Sequence, residues 1–176
     1  MSVTATDLPS TIPPLPDGAT MAVWPLSALR NTGGDGAAGV AVEPPLYCSR
    51  GKWLHPLFDL LELLAPDGPA ADSDERAALM SAGELFLRDR VIGRAAAFLI
   101  LRAGIRHAWS DLVSDGAYEV FEAAGGSLAG GERVAAIACQ TESMLRGVAD
   151  ADAAWTQLLE RRAAAEGERA GRMPTA

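Results

Sequence analysis

From Arg88 to Leu101 the chain reads RDRVIGRAAAFLIL, a charged cluster that runs without a break into an Ala-rich apolar segment. Val91, Ala95, Phe98 and Leu99 follow the three-four spacing of one helical face, and Gly104 stands where a left-handed C-terminal cap is needed. The spacing predicts a helix over Arg90–Arg102. Just upstream, Glu84–Leu87 is short and apolar enough for a buried strand. A strand that feeds directly into a core-facing helix is the building unit of a layered α/β sheet.

The same unit recurs on both sides. Leu46-Tyr47-Cys48 and Lys52-Trp53-Leu54 flank the turn-like triplet Ser49-Arg50-Gly51 and are expected to form a hairpin. Pro56–Leu64 has apolar residues at helical spacing, opens with proline in its first turn and stops before Pro66-Asp67-Gly68-Pro69, so it reads as a helix. Ala70–Met80 is polar and Ala-rich, a loop with a helical turn. Further on, Ile105–Trp109 reads as a strand, Gly116–Ala123 as a helix closed by Gly125-Gly126, and Val134–Ala138 as a strand. Asp150 is a good N-cap for a last helix over Ala151–Ala165. Trp53, Trp109 and Trp155 are expected as core or subunit-interface anchors, and His107 as a structural histidine within a strand.

A chain of 176 residues suits one α/β domain. Seven of its eleven prolines and the Gly-rich run Asn31–Gly39 lie before Leu46. Residues 1–44 are therefore read as a Pro/Gly-rich flexible tail, residues 45–166 as the domain and residues 167–176 as a frayed end. Met21–Leu29, MAVWPLSAL, is the tail's one apolar patch, suited to docking on the domain or a partner or to lying along the surface. The net charge of -8 argues against general nucleic-acid binding, since neutralising phosphates needs a basic surface. No apolar run approaches the roughly 18 to 20 residues that cross a bilayer, and the opening MSVTATDLPSTIPPLP lacks a basic then apolar leader; the expectation is a cytoplasmic protein without a membrane span. Cys48 and Cys139 form no Cys-x-x-Cys signature and are read as reduced thiols. No phosphate-binding Walker loop, dinucleotide fingerprint or nucleophile elbow is present.

Three runs appear in a recognisable order: WLHPLFDLLELL, RDRVIGRAAAFLILRAGI and SDGAYEVFEAAG, followed by IACQTESML. Over about residues 46 to 160 this order resembles domain-of-unknown-function family 1893. The family's Asp-Lys-Val-Val-Gly-Lys-Ala-Ala-Ala run corresponds to Asp89 through Ala97, its Ser before an Ala-containing helix to Ser114, and its Cys-Pro-x-Glu to Cys139-Gln140-Thr141-Glu142. The resemblance implies a cytidine-deaminase-like fold: a three-layer mixed sheet with helices on both faces and a pocket at the starts of two helices. True deaminases place zinc ligands and a catalytic Glu at those starts. Here Asp89-Arg90 and Ser114 to Ala117 stand there instead, so the resemblance implies no zinc hydroxide and no deamination. The family's Asn-Arg-Asp-Gly stretch is replaced by Arg133 to Ala138.

On these residues a small anionic or nucleotide-like ligand is expected. Arg90 and Arg94, four apart, would share a helix face near its N-terminus, where backbone amides and the macrodipole favour an anion, and Gly93 would permit close approach. Asp89 and Ser114 would add polar walls. The alternative is a solvated salt-bridge set in which Gly93 only serves packing. A second functional class is an enzyme: Thr141 reads as the N-cap of Glu142–Gly147, setting Cys139 near a helix start, with Cys139 as nucleophile or redox thiol and Glu142 assisting. Buried cysteine is also a common inert core residue. A third class is metal-linked regulation. No cofactor is expected, yet Cys48, His55 and Cys139 are chemically acceptable zinc ligands. The Trp-Leu-His-Pro-Leu run resembles a family branch associated with zinc-type ABC transporters, which implies a transporter-associated partner; a homo-oligomer is the other partner expectation.

Overall fold

The structure, a computed structural model, describes residues 8–9, 11–30 and 43–170. Five strands form one mixed sheet: β1 (Met21–Pro25), β2 (Tyr47–Ser49), β3 (Leu85–Ile92), β4 (His107–Ser114) and β5 (Ser127–Val134), in the order β2-β1-β3-β4-β5. The helices are α1 (Leu26–Arg30), α2 (His55–Leu64), α3 (Asp74–Ser81), α4 (Arg94–Arg102), α5 (Asp115–Ala123), α6 (Gln140–Met144) and α7 (Ala151–Ala170). β1 runs antiparallel to both neighbours, whereas β3, β4 and β5 are parallel and are joined by α4 and α5. The mixed α/β architecture expected from the alternation is present.

The sheet has two unlike faces. On one, Met21, Val23, Leu87 and Ala108 pack against buried residues of α2, α4, α5 and α7, among them Phe58, Leu60, Phe98, Ile100, Phe121 and Leu158. On the other, Ala22, Trp24 and Phe86 are covered by Leu26 and Leu29 of α1 and by Leu8, Ile12 and Leu15 of the N-terminal segment. That second cover is thin, one short helix and a stretch of irregular chain.

This overturns the reading of residues 1–44 as a tail. Met21–Leu29 is a strand and a helix of the domain, and β1 lies inside the sheet with Val23 opposite Leu87 and Trp24 opposite Phe86. Trp24 is only 1% exposed. Proline misled because it excludes only the ladder interior, and Pro25 occupies the last strand position. Four apolar residues buried on both faces show no alternation, so the run looks like a patch. Within that stretch, residues 1–7, 10 and 31–42 lie outside the described residues.

Other elements also differ from expectation. The hairpin at 46–54 is absent: β2 pairs with β1, while Lys52–Leu54 turns into α2. Ala70–Met80 contains a two-turn helix, α3, whose start is capped by Ser73 Oγ accepting from the Arg76 amide at 3.2 Å. The last strand is Ser127–Val134 rather than Val134–Ala138. Its Gly130-Gly131 diluted the apolar signal, yet a Cβ at Gly130 would lie 2.5 Å from Val113 Cγ2, so close packing on β4 demands that glycine. The last helix continues past Gly167 to Ala170; residues 171–176 lie outside the described residues.

Candidate functional site

The parallel strands end where α4 and α5 begin, the region of an α/β sheet in which unpaired amides and loop side chains gather. β3 extends through Arg88-Asp89-Arg90 to Ile92, and α4 starts only at Arg94, with Gly93 as its N-cap. Strand pairing overrides helical spacing here: Asp89 is aligned with Met21 and with Ser110, and the Arg90 amide donates to the Thr20 carbonyl at 3.1 Å. Arg90 is therefore on a strand, and the helix face expected to unite it with Arg94 does not exist.

Glu142, on α6, is 7% exposed and reaches both helix starts. Its Oε2 accepts from the Arg94 backbone amide at 2.7 Å, and its Oε1 accepts from Ser114 Oγ at 2.6 Å. Ser114 Oγ in turn accepts from the Ala117 amide at 3.2 Å and caps α5. A carboxylate at a helix N-terminus is favoured by free amides and the macrodipole. The anion expected at this helix start is thus supplied by the chain itself. Gly93 makes room for it, since a Cβ there would stand 2.6 Å from Glu142 Oε2 and 3.1 Å from Ile137. The Arg94 guanidinium turns away to pair with Glu119 and to donate to the Val148 carbonyl at 3.1 Å. A Cβ at Gly116 would lie 2.9 Å from its Nε, so this glycine also accommodates a side chain.

Beside this closed cluster is a pocket of about 380 Å³, lined among others by Thr20, Lys52, Trp53, Asp89, Arg90, Gly93, Cys139, Thr141 and Glu142. Trp53 was expected in a core or interface; it is 41% exposed. Its backbone has φ of 60°, a left-handed conformation that a bulky residue holds at a cost of order 1–3 kcal/mol. Its indole N–H donates to Thr141 Oγ1 at 3.3 Å, and its ring meets His55 edge-on with centroids 5.4 Å apart. Lys52 and Arg90 are exposed. Among the described residues neither forms a salt bridge.

Asp89 is half-buried on the pocket wall and accepts from the Val91 amide at 3.3 Å. Burial, helped by the nearby Asp111 charge, raises its carboxyl to about 7 against the lowering effect of the Val91 and Arg90 amides and the Arg90 charge.

Cys139 is exposed on the same wall and, in place of Thr141, is the N-cap of α6, its Sγ accepting from the Glu142 amide at 3.4 Å. Thr141 is buried within α6. Both Glu142 oxygens are engaged elsewhere, so the Cys139–Glu142 contact is between sulfur and backbone. Cys48 is exposed on β2. Among the described residues no group of three or more His, Cys, Asp and Glu is arranged to hold a metal ion, so Cys48, His55 and Cys139 are not assembled into one.

Sequence reasoning missed Thr20, Lys52 and Trp53 as pocket residues. Thr20 lay in the segment read as a tail, and a tryptophan's positive φ leaves no mark in composition or spacing.

Comparison with known proteins bears on this region. The model of domain-of-unknown-function family 1893 matches residues 77–160. A crystal structure of a protein of that family from Thermotoga maritima superposes with a TM-score of 0.56 at 14% identity, covering 81% of this chain and 80% of the other. At that identity the likeness shows a shared fold. No curated protein matches the chain. No helix among the described residues is long and apolar enough to cross a membrane.

Proposed function

We propose that this chain, whose residues 77–160 match the model of domain-of-unknown-function family 1893, binds a small anionic, nucleotide-like ligand in the pocket beside the α4 start. The observation that carries the proposal is Trp53: an exposed ring held in a strained backbone conformation on a pocket wall that also bears Lys52 and Arg90. Strain of this kind persists where the surroundings enforce it and clusters at ligand sites. An exposed indole offers a stacking surface for a planar group, and the two cations attract a phosphate or carboxylate. A volume of about 380 Å³ lies in the range of small-molecule sites.

Arg90 and Lys52 contact the anion in this proposal. Arg94 and Ser114 hold the helix starts, and Glu142 is the internal anion that completes them. The fold is read as deaminase-like, but deamination is not proposed, since the resemblance sets Asp89-Arg90 and Ser114 to Ala117 where a deaminase has its zinc ligands. Asp89 opposes an anion once ionised, so affinity falls as the pH rises through about 7. Native mass spectrometry of gently purified protein, followed by calorimetry with nucleotides and sugar phosphates, tests the proposal. A retained anionic ligand whose heat of binding vanishes in Arg90→Gln supports it; binding unchanged in Arg90→Gln and Lys52→Gln rejects it.

A second reading, thiol chemistry at Cys139, is favoured by its exposure on the pocket wall and by the amide directed at its sulfur. Alkylation at neutral pH faster than that of a free peptide thiol supports this reading, and an equal or slower rate removes it.

A further inference from the structure

On the far side of Arg94 a separate groove of about 450 Å³ opens between α4, α5 and the first turns of α7. Its walls are apolar: Phe98 from α4, Val120 and Ala123 from α5, Trp155 and Leu158 from α7. Two arginines, Arg102 and Arg106, also line it. Arg102 lies over the Trp155 ring, 4.4 Å from its centroid, and its carboxylate partner Asp152, 3.4 Å away, is 91% exposed. A pair so exposed contributes little and exchanges readily. Arg106 donates to the Ala124 carbonyl and, among the described residues, meets no carboxylate. Arg94, the groove's third cation, is neutralised by Glu119. On a chain of net charge -8, three arginines beside this apolar groove against the two carboxylates of Glu119 and Asp152 are a local reversal of charge.

We infer that this groove binds a free monoanion with an apolar body, an aliphatic or aryl carboxylate, whose body lies between Val120 and Trp155 and whose carboxylate meets Arg102 and Arg106. An apolar body lined by a few fixed polar groups is the general form of a small-molecule site, and arginine suits the head because its planar fork accepts a carboxylate bidentately. Ala123 is exposed on the wall, so the groove can be filled from α5 without disturbing a packed side chain.

The test titrates decanoate into the full chain below its micelle-forming concentration, with acetate and decanol as head-only and body-only controls. Decanoate is expected to bind saturably, with acetate and decanol at least about tenfold weaker. Affinity should fall at least about tenfold in Arg102→Gln/Arg106→Gln and in Ala123→Phe, and stay unchanged in Arg90→Gln, which separates this groove from the pocket beside α4. Equal decanoate affinity in wild type and both groove variants overturns the inference, as does equal binding of decanol. Two further outcomes overturn it in favour of another occupant. One is co-sedimentation with phosphatidylglycerol vesicles that decanoate abolishes, which points to membrane lipid. The other is a dimer in sedimentation analysis that Ala123→Phe dissociates.

Discussion

The starts of α4 and α5 and the pocket wall next to them use similar residue types in opposite ways. At the helix starts these polar groups meet one another inside the chain: Glu142 takes the Arg94 amide and the Ser114 hydroxyl, Ser114 takes the Ala117 amide, and the Arg94 side chain takes Glu119 and the Val148 carbonyl. Glycine at 93 and at 116 lets these groups approach. On the wall, Lys52 and Arg90 reach solvent, Trp53 is exposed in a strained conformation, and Asp89 is half-buried with a carboxyl that resists ionisation. Buried polar groups that are satisfied hold a fold in one arrangement. Groups left strained or uncompensated are where a protein has given up stability, and such positions concentrate at binding sites.

If this contrast is right, substitutions in the first region should lower stability and those in the second should not. The largest effect is expected for Glu142→Ala, which deprives a helix-start amide and a buried hydroxyl of their acceptor. A loss of about 3 kcal/mol, or roughly 6–12 °C in Tm for a chain of this size, should appear in thermal unfolding. Gly93→Ala follows, because its Cβ would press on Glu142 Oε2; overpacking of this kind costs about 2 kcal/mol, measurable as a lower urea midpoint at unchanged slope. Ser114→Ala removes both the α5 cap and a bond to Glu142 and should cost about 1–2 kcal/mol.

The second region answers to pH. With a folded value of about 7 against the ordinary 3.8, Asp89 holds its proton in the folded chain over a range in which the unfolded chain has released it. Stability is thus highest below about 4 for this group, falls as the pH rises to about 7, and is level above it. Unfolding of Asp89→Asn, followed from pH 5 to pH 8, should lose that part of the slope; a slope equal to that of the wild type would show that Asp89 ionises freely. The smallest effect is expected for Lys52→Gln, within about 0.5 kcal/mol of wild type, because its side chain is exposed and outside any salt bridge among the described residues.

Much of the fold is written in periodicity. Pro56–Leu64, Gly116–Ala123 and the Asp150-capped helix carry their spacing and their stop or start signals within a few residues, and each is present. β1 was not legible, because a five-residue strand buried on both faces carries neither alternation nor length. The α4 start was misplaced for a related reason: Arg88 to Ile92 fits a helical spacing as well as a strand, and only pairing with β1 and β4 decides between them. At the helix starts, residues expected to face a ligand meet one another instead. Gly93, Arg94, Ser114 and Glu142 do converge, but on one another, since sequence reveals that an anion suits a helix start without revealing that a residue 48 positions away already supplies it.

The most direct test of the division between closed helix starts and open wall is calorimetric titration of adenosine 5′-monophosphate into wild type, Arg90→Gln and Arg94→Gln, with Tm measured on the same samples. Arg90→Gln is expected to keep its Tm and lose binding, and Arg94→Gln to bind as wild type while melting at a lower temperature. Binding that survives in Arg90→Gln and vanishes in Arg94→Gln, with the Tm of Arg94→Gln unchanged, would place the ligand at the helix start and contradict the assignment of Glu142 as its resident anion.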